Sequence, residues 1–421
     1  MKMRVIQATV LLGLAACGSS ATTTTGASNA QAQAPSPALS DNPPFTATPV
    51  ATFDDPWAMA FLPGATTALV TEKPGHIWLV DVKTGAKKSV AGAPQTVDKA
   101  QGGLLDIALS PTFSSDSLVY LTFSEASANG GRGLALAMAK LISGPGPARL
   151  DGLHVIWRDP AGGSGGQFGA VIAFAPDGKS LFLSSGERQR FTPAQDPNQP
   201  LGKILHLTLD GKPAPGNPWA GEPGAATVTV TDPPDDTEQA KHTTGRQFRW
   251  PGPNLTPAET WSFGHRNPYG LAFALDGRLW ETEMGPQGGD ELNLILPGKN
   301  YGWPLVSEGE NYDGVPIPKH ATRPDIVPPK LYWVPSISPT SLLFYTGNLF
   351  PHWKGSALIG SLSGQVLARV SINGDQARKL EQWDMGSRIR FVGQGPDGAI
   401  YLLEDGPGGR MLRLTPAQTL R

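Results

Sequence analysis

Two runs of residues hold most of the groups that could do chemistry. Ser262-Phe263-Gly264-His265-Arg266-Asn267-Pro268-Tyr269-Gly270-Leu271 sets an arginine and an asparagine side by side at the entry to a strand. Met284-Gly285-Pro286-Gln287-Gly288-Gly289-Asp290-Glu291-Leu292-Asn293 follows as a glycine-rich acidic loop whose backbone carbonyls are free to face a hard cation. Calcium takes oxygen ligands in flexible geometry, and the carbonyls of a Gly/Pro-constrained loop supply them without side-chain entropy. Asp290 and Glu291 then orient the loop rather than ligate. Arg388-Ile389-Arg390 adds two guanidiniums that alternate on a strand and so point to one face. Planar, permanently charged guanidiniums suit carboxylates; alone, such a pair also reads as a solvated face. Gln101, in Gln101-Gly102-Gly103-Leu104-Leu105-Asp106, is a polar contact or a turn cap.

These residues need a scaffold, and the chain repeats one. An apolar strand, a turn built on Pro, Asp and Gly, and a second strand begin at Trp57, Leu104, Val171, Leu271, Ser341 and Phe391. Pro-Asp-Gly suits tight turns, because proline presets φ and glycine accepts positive φ. Six copies at about 60 residues each fit four-stranded propeller blades with long loops. Extra length falls at Gly211–Thr260, between copies three and four, and at Gly298–Pro339, between four and five. Both stretches are polar and Pro-rich, as loops walling one end of a channel would be. The fold expected is all-β, a six-bladed β-propeller; a two-sheet sandwich is the alternative.

Composition agrees. Charged residues are 17%, while Gly 51 and Pro 41 of 421 give the turn content of many short strands. A net charge of −2 offers no basic surface for nucleic acid. Lys2 and Arg4 precede a short apolar run, Val5 to Leu14, and Leu14-Ala15-Ala16-Cys17 closes it. This pattern is a secretory signal, too short to span a bilayer. Ending on the single cysteine of the chain, residues 1–17 resemble a bacterial lipoprotein signal, with Cys17 lipidated; an ordinary signal with an incidental cysteine is the other reading. Residues 18–44 are rich in Ser, Thr, Ala and Pro and bury too little to fold, so they read as a disordered tether to a propeller over 45–421. The protein is then exported, lipid-anchored in a bacterial cell envelope, and faces the periplasm or the exterior.

With these motifs in order, the stretch from about Phe53 to Leu414 resembles the soluble aldose sugar dehydrogenases that use pyrroloquinoline quinone (PQQ). The resemblance implies a six-bladed propeller with the quinone across the top of its channel. It implies that Gln101, Arg266, Asn267, Arg388 and Arg390 contact the cofactor, and that the Gly285 and Pro286 carbonyls hold a calcium bridging to it. It also implies oxidation of the C1 hydroxyl of a sugar to a lactone, with electrons passing to an external acceptor.

Three positions depart from the family pattern. Gly165-Gly166-Gln167-Phe168-Gly169-Ala170-Val171 puts Gln167 where the base histidine belongs and Val171 where an arginine follows. Ser363 stands where a quinone-contacting lysine is expected. A glutamine amide orients a hydroxyl but takes no proton near neutral pH, whereas imidazole does. The base is thus without an assigned residue; His265, Glu187 and Glu283 are the nearby candidates, although His265, adjacent to Arg266, would face the other way on a strand. General-base catalysis supplies about two to four orders of magnitude. Two readings follow: a quinoprotein sugar oxidoreductase, or a catalytically impaired propeller acting as a binding or scaffold lipoprotein. A propeller lactonase would want side-chain carboxylates on a central metal, and the strongest metal signal here is a backbone loop.

Overall fold

The computed structural model describes residues 36–40, 42–64, 66–128 and 130–417. The expected signal, Cys17 and most of the expected tether lie outside the described residues.

Six four-stranded antiparallel blades ring a central channel, as the repeats predict. Their innermost strands are Pro56–Phe61, Leu104–Leu109, Gly169–Phe174, Pro268–Phe273, Pro339–Phe344 and Ile389–Gln394, and each overlaps one expected repeat. Each inner strand packs against the next, and the sixth returns to the first. Blades one and two merge into one sheet where Ala148 and Arg149 pair in parallel with Val90 and Ala91.

Side chains on second strands tie neighbouring blades together. Thr71 donates to the Leu105 carbonyl at 2.7 Å, Thr122 to Ala170 at 2.7 Å and Ser184 to Pro268 at 2.9 Å. Every acceptor lies near the start of the following blade's inner strand. The pairing register of every inner strand also shifts within its first few residues. Such bulges bend a strand and re-aim its first side chains, here toward one end of the channel.

The ring closes through the N-terminal strand. Phe45–Asp54 pairs antiparallel with Pro407–Pro416 and completes the last blade, whose other three strands come from the C-terminal end. Closure ties the first and last blades together, leaving only the short outer edges of the blades. Phe45 anchors the clasp, edge-on to Trp353 and Trp383 at 6.1 and 5.4 Å.

Two expectations change. The long insertions fall inside blades rather than between them. Residues 209–259 separate the third strand of blade three, Lys203–Thr208, from its outer strand, Thr260–Phe263. Residues 295–330 do the same in blade four, before Leu331–Trp333. The end of the expected tether is ordered: Leu39–Ser40 pairs in parallel with Gln382 and Trp383 on the outer strand of blade five, whose outer side offers unpaired backbone groups.

Candidate active site

At the N-terminal ends of the inner strands lies a cavity of about 300 Å³. Trp57, Lys73, Gln101, Tyr269, Arg388 and Arg390 line it, with Asp55, Ala100, Met284, Leu362, Asp405 and Gly406. Arg388 and Arg390 point to this one face. Asp405 holds both: its Oδ2 accepts from Arg388 Nε at 2.7 Å and its Oδ1 from Arg390 Nε and Nη2 at 2.8 and 2.6 Å. Burial would raise the Asp405 carboxyl, but Arg390 and Arg388 outweigh it and hold the group below its ordinary value. Arg390 also sits 5.6 Å from the Tyr269 ring centre, and Tyr269 meets Trp57 edge-on at 6.0 Å.

Lys73 is a third cation at this cavity and was not singled out from sequence. Its ammonium donates to Asp55 at 3.2 Å and to the Ala100 carbonyl at 3.1 Å. Lys73 directly follows the second strand of blade one, as Asp405 does in blade six; Glu187, Gly285 and Ser363 come one residue later in blades three, four and five. That periodicity was the available signal. Ser363, at the expected lysine position, instead bonds the Ser338 hydroxyl at 2.7 Å.

Blade three shapes the next part of the site. Gln101 Oε1 accepts from the Gln167 backbone N–H at 2.7 Å and from Tyr269 at 3.3 Å. Gly166 permits the approach, because a Cβ there would stand 3.0 Å from the Gln101 amide carbon. The buried Arg188 guanidinium pins the loop by donating to the Gly165, Gly166 and Arg132 carbonyls. Burial pulls Arg188 down to about 9. Gln167, Ala170, Arg188, Gln189 and Phe191 all have positive φ, strain that persists only where the surroundings over-determine it. Gln167 Nε2 donates to Asp236 Oδ2 at 3.2 Å, while Gln167 Oε1 is buried without a partner. Asp236 comes from the 209–259 insertion, and no periodicity in the sequence pointed to it.

Arg266 and Asn267 enter from blade four, both buried. Arg266 Nη2 ion-pairs with Asp236 Oδ2 at 2.8 Å, and Nη1 donates to the Gly285 and Met284 carbonyls at 2.7 and 3.2 Å. Asn267 Oδ1 accepts from the Gly169 N–H at 3.3 Å. Asp290 orients the loop: it accepts from the Gly285 N–H at 2.9 Å and from the Ile337 and Ser338 N–H groups at 2.7 Å each. Behind the loop, ligand atoms of His265, Glu281 and Glu283 lie within 4.8 Å of one another. His265 Nδ1 and Glu283 Oε1 are 3.2 Å apart, and His265 stacks on Tyr301. Burial and the charge of Glu283 push Glu281 well above its ordinary value. None of the three lines the 300 Å³ cavity, nor do Gln167, Asp236, Arg266 and Asn267; His265 and Glu283 bond each other, the Ser262 hydroxyl and the Arg266 N–H.

The glucose/sorbosone dehydrogenase family model matches residues 53–230 and 251–413. The chain belongs to the glucose/sorbosone dehydrogenase family. It is 33% identical over 372 residues to the aldose sugar dehydrogenase YliI of Escherichia coli (strain K12), covering 86% of this chain and 90% of that protein. It is 25% identical to quinoprotein glucose dehydrogenase B of Acinetobacter calcoaceticus over 434 residues, 84% of each chain. The apo crystal structure of the E. coli aldose sugar dehydrogenase superposes with a TM-score of 0.75 at 30% identity, covering 89% of this chain and all of that one. The PQQ-bound aldose sugar dehydrogenase of Streptomyces coelicolor gives 0.64 at 27% identity, covering 90% and 99%. This is a family of oxidoreductases.

The cavity of this family member fits PQQ. A flat tricarboxylate wants several cations beside aromatic walls, and Lys73, Arg388 and Arg390 face one cavity with Trp57 and Tyr269. The fit to calcium is different. The Gly285 carbonyl is already turned to a cation, the guanidinium of Arg266. A calcium ion does not fit there while Arg266 holds that oxygen.

Proposed function

We propose that this family member oxidises the C1 hydroxyl of an aldose to a lactone with PQQ as the immediate oxidant, electrons then passing to an external acceptor. The observation that carries this reading is the convergence of Lys73, Arg388 and Arg390 on one cavity beside Trp57 and Tyr269. Bound quinone supplies the chemistry of hydride acceptance. The chain's own residues do the rest. The three cations would hold the quinone's carboxylates, and Asp405 ties the two guanidiniums together. Gln101 braces the blade-three loop from the cavity wall.

The scaffold reading rested on the lost histidine, and Asp236 beside Gln167 weakens it. We further propose that the protein is exported and held in the cell envelope by a lipid on Cys17, supported by Leu14-Ala15-Ala16-Cys17. Cys17→Ala should release it from the membrane fraction. The main test is a titration of purified protein with PQQ, with and without calcium, read as melting temperature. A ligand that binds the native state must stabilise it, so a flat titration overturns the cofactor assignment.

A further inference from the structure

We propose that Asp236 is the general base of this enzyme, supplying from a loop insertion what the blade framework lacks at Gln167. The inference rests on the dehydrogenase reading above and deepens it. Gln167 occupies the position at which the family places its base, and Asp236 Oδ2 stands one hydrogen bond away, 3.2 Å from Gln167 Nε2. The Gln167 backbone is itself one hydrogen bond from Gln101, which lines the cavity.

Three acceptors are left over at this spot. Asp236 Oδ1, Gln167 Oε1 and Glu187 Oε1 are buried and have no hydrogen-bond partner among the described residues. Unfilled buried acceptors are rare in folded proteins and call for an explanation. A sugar carries donors of the right kind: its C1 O–H satisfies the carboxylate, and a neighbouring hydroxyl can donate to the amide oxygen.

The surroundings hold Asp236 in place. Arg266 ion-pairs with it at 2.8 Å from blade four, and Gln189 Nε2 approaches it at 3.5 Å from blade three. Glu187 faces it from the same blade, and Tyr312 packs against Arg266, its ring centre 5.8 Å from the guanidinium. Arg190 is bound through Nη2 to Asp232 at 2.8 Å. Burial first, and then the charge of Asp236, push Glu187 up to about 7, against the pull of Arg266.

The step balances. The C1 hydroxyl proton goes to an Asp236 oxygen, the C1–H bond breaks with its electron pair leaving as hydride to the quinone oxidant, and the C1–O single bond becomes C=O. The proton on Asp236 then leaves to solvent.

The test uses the full chain loaded with PQQ. Asp236→Asn should bind PQQ within about threefold of wild type by fluorescence titration and melt within a few degrees of it. Its single-turnover reduction by sugar should slow by roughly 10²–10⁴-fold, and the acid limb of its pH profile should vanish. Asp236→Glu should keep that limb, and Gln167→His added to Asp236→Asn should recover much of the rate. An Asp236→Asn protein that reduces quinone at the wild-type rate, or that loses PQQ affinity in proportion to rate, overturns the base assignment alone. Wild-type protein that binds no PQQ overturns the dehydrogenase reading, and the base with it.

Discussion

Arg266 Nη1 donates to the Gly285 carbonyl at 2.7 Å, so a guanidinium stands where a loop oxygen would otherwise meet a metal ion. The other arm of Arg266 is bound to Asp236. One side chain therefore links the glycine-rich loop to the insertion of blade three. Calcium reaches that oxygen only if Arg266 turns to another anion or acceptor.

Coupled binding is the expected consequence. Calcium alone should hardly move the melting temperature, whereas PQQ and calcium together should raise it by more than the sum of their separate effects. Two ligands that each favour the same rearranged state bind cooperatively. Differential scanning fluorimetry over a two-dimensional titration checks this. A full calcium shift without PQQ would show that Arg266 does not guard the carbonyl.

The cation cluster makes a second prediction. Arg390→Ala and Lys73→Ala should each weaken PQQ binding by about 1.5–3 kcal/mol, roughly ten- to a hundredfold. Arg388 is nearly half exposed, with 47% of its side chain accessible against 11% for Arg390, so its loss should cost less. Fluorescence titration of the three variants ranks them. Equal losses at Arg388 and Arg390 would mean that the cofactor sits further out than the cavity implies.

Which parts of this were legible in the sequence follows from what repeats. Trp57, Leu104, Val171, Leu271, Ser341 and Phe391 announce the inner strands because each blade needs the same apolar run and turn. Arg388 and Arg390 were readable from their spacing of two at the entry to an inner strand, although a bulge interrupts the alternation there and Asp405 gathers the two guanidiniums. Lys73 needed one more step, since its station at the end of a second strand becomes visible only when the blades are laid over one another. Asp236 had no such signal. It belongs to an insertion without period, and only the folded loop brings it to Gln167. The insertions were misplaced between blades because an outer strand as short as Leu331–Trp333 leaves little pattern to mark where a blade ends.

The clasp predicts a stability effect far from the site. Phe45 is buried and edge-on to Trp353 and Trp383. Phe45→Ala leaves a cavity under the strand that completes the last blade, at a cost of about 3–5 kcal/mol. For a domain of this size the melting temperature should fall by about 5 °C. PQQ affinity should stay near wild type, because the clasp closes the outer strand of blade six. An unchanged melting temperature would show that the ring does not depend on this closure.

Buried carboxyls predict the direction of the pH dependence. Glu259 lies under blade three, where its Oε2 accepts from Trp157 Nε1 at 3.0 Å, and burial pushes it from 4.5 up to about 7. The folded state therefore binds more protons than the unfolded state between those two values, so stability must fall as pH rises through that window. The full penalty is present above about pH 7 and is on the order of 3 kcal/mol. Glu187, also raised to about 7, adds to the same slope. Lys203 acts in the opposite sense at higher pH: burial lowers it to about 7, so the folded state binds fewer protons above that value and stability recovers. Glu259→Gln keeps an acceptor for Trp157 and removes one titration. Its melting temperature should exceed wild type at pH 8 and match it near pH 4.5, and a variant that tracks wild type across the whole range would show that Glu259 is not held neutral.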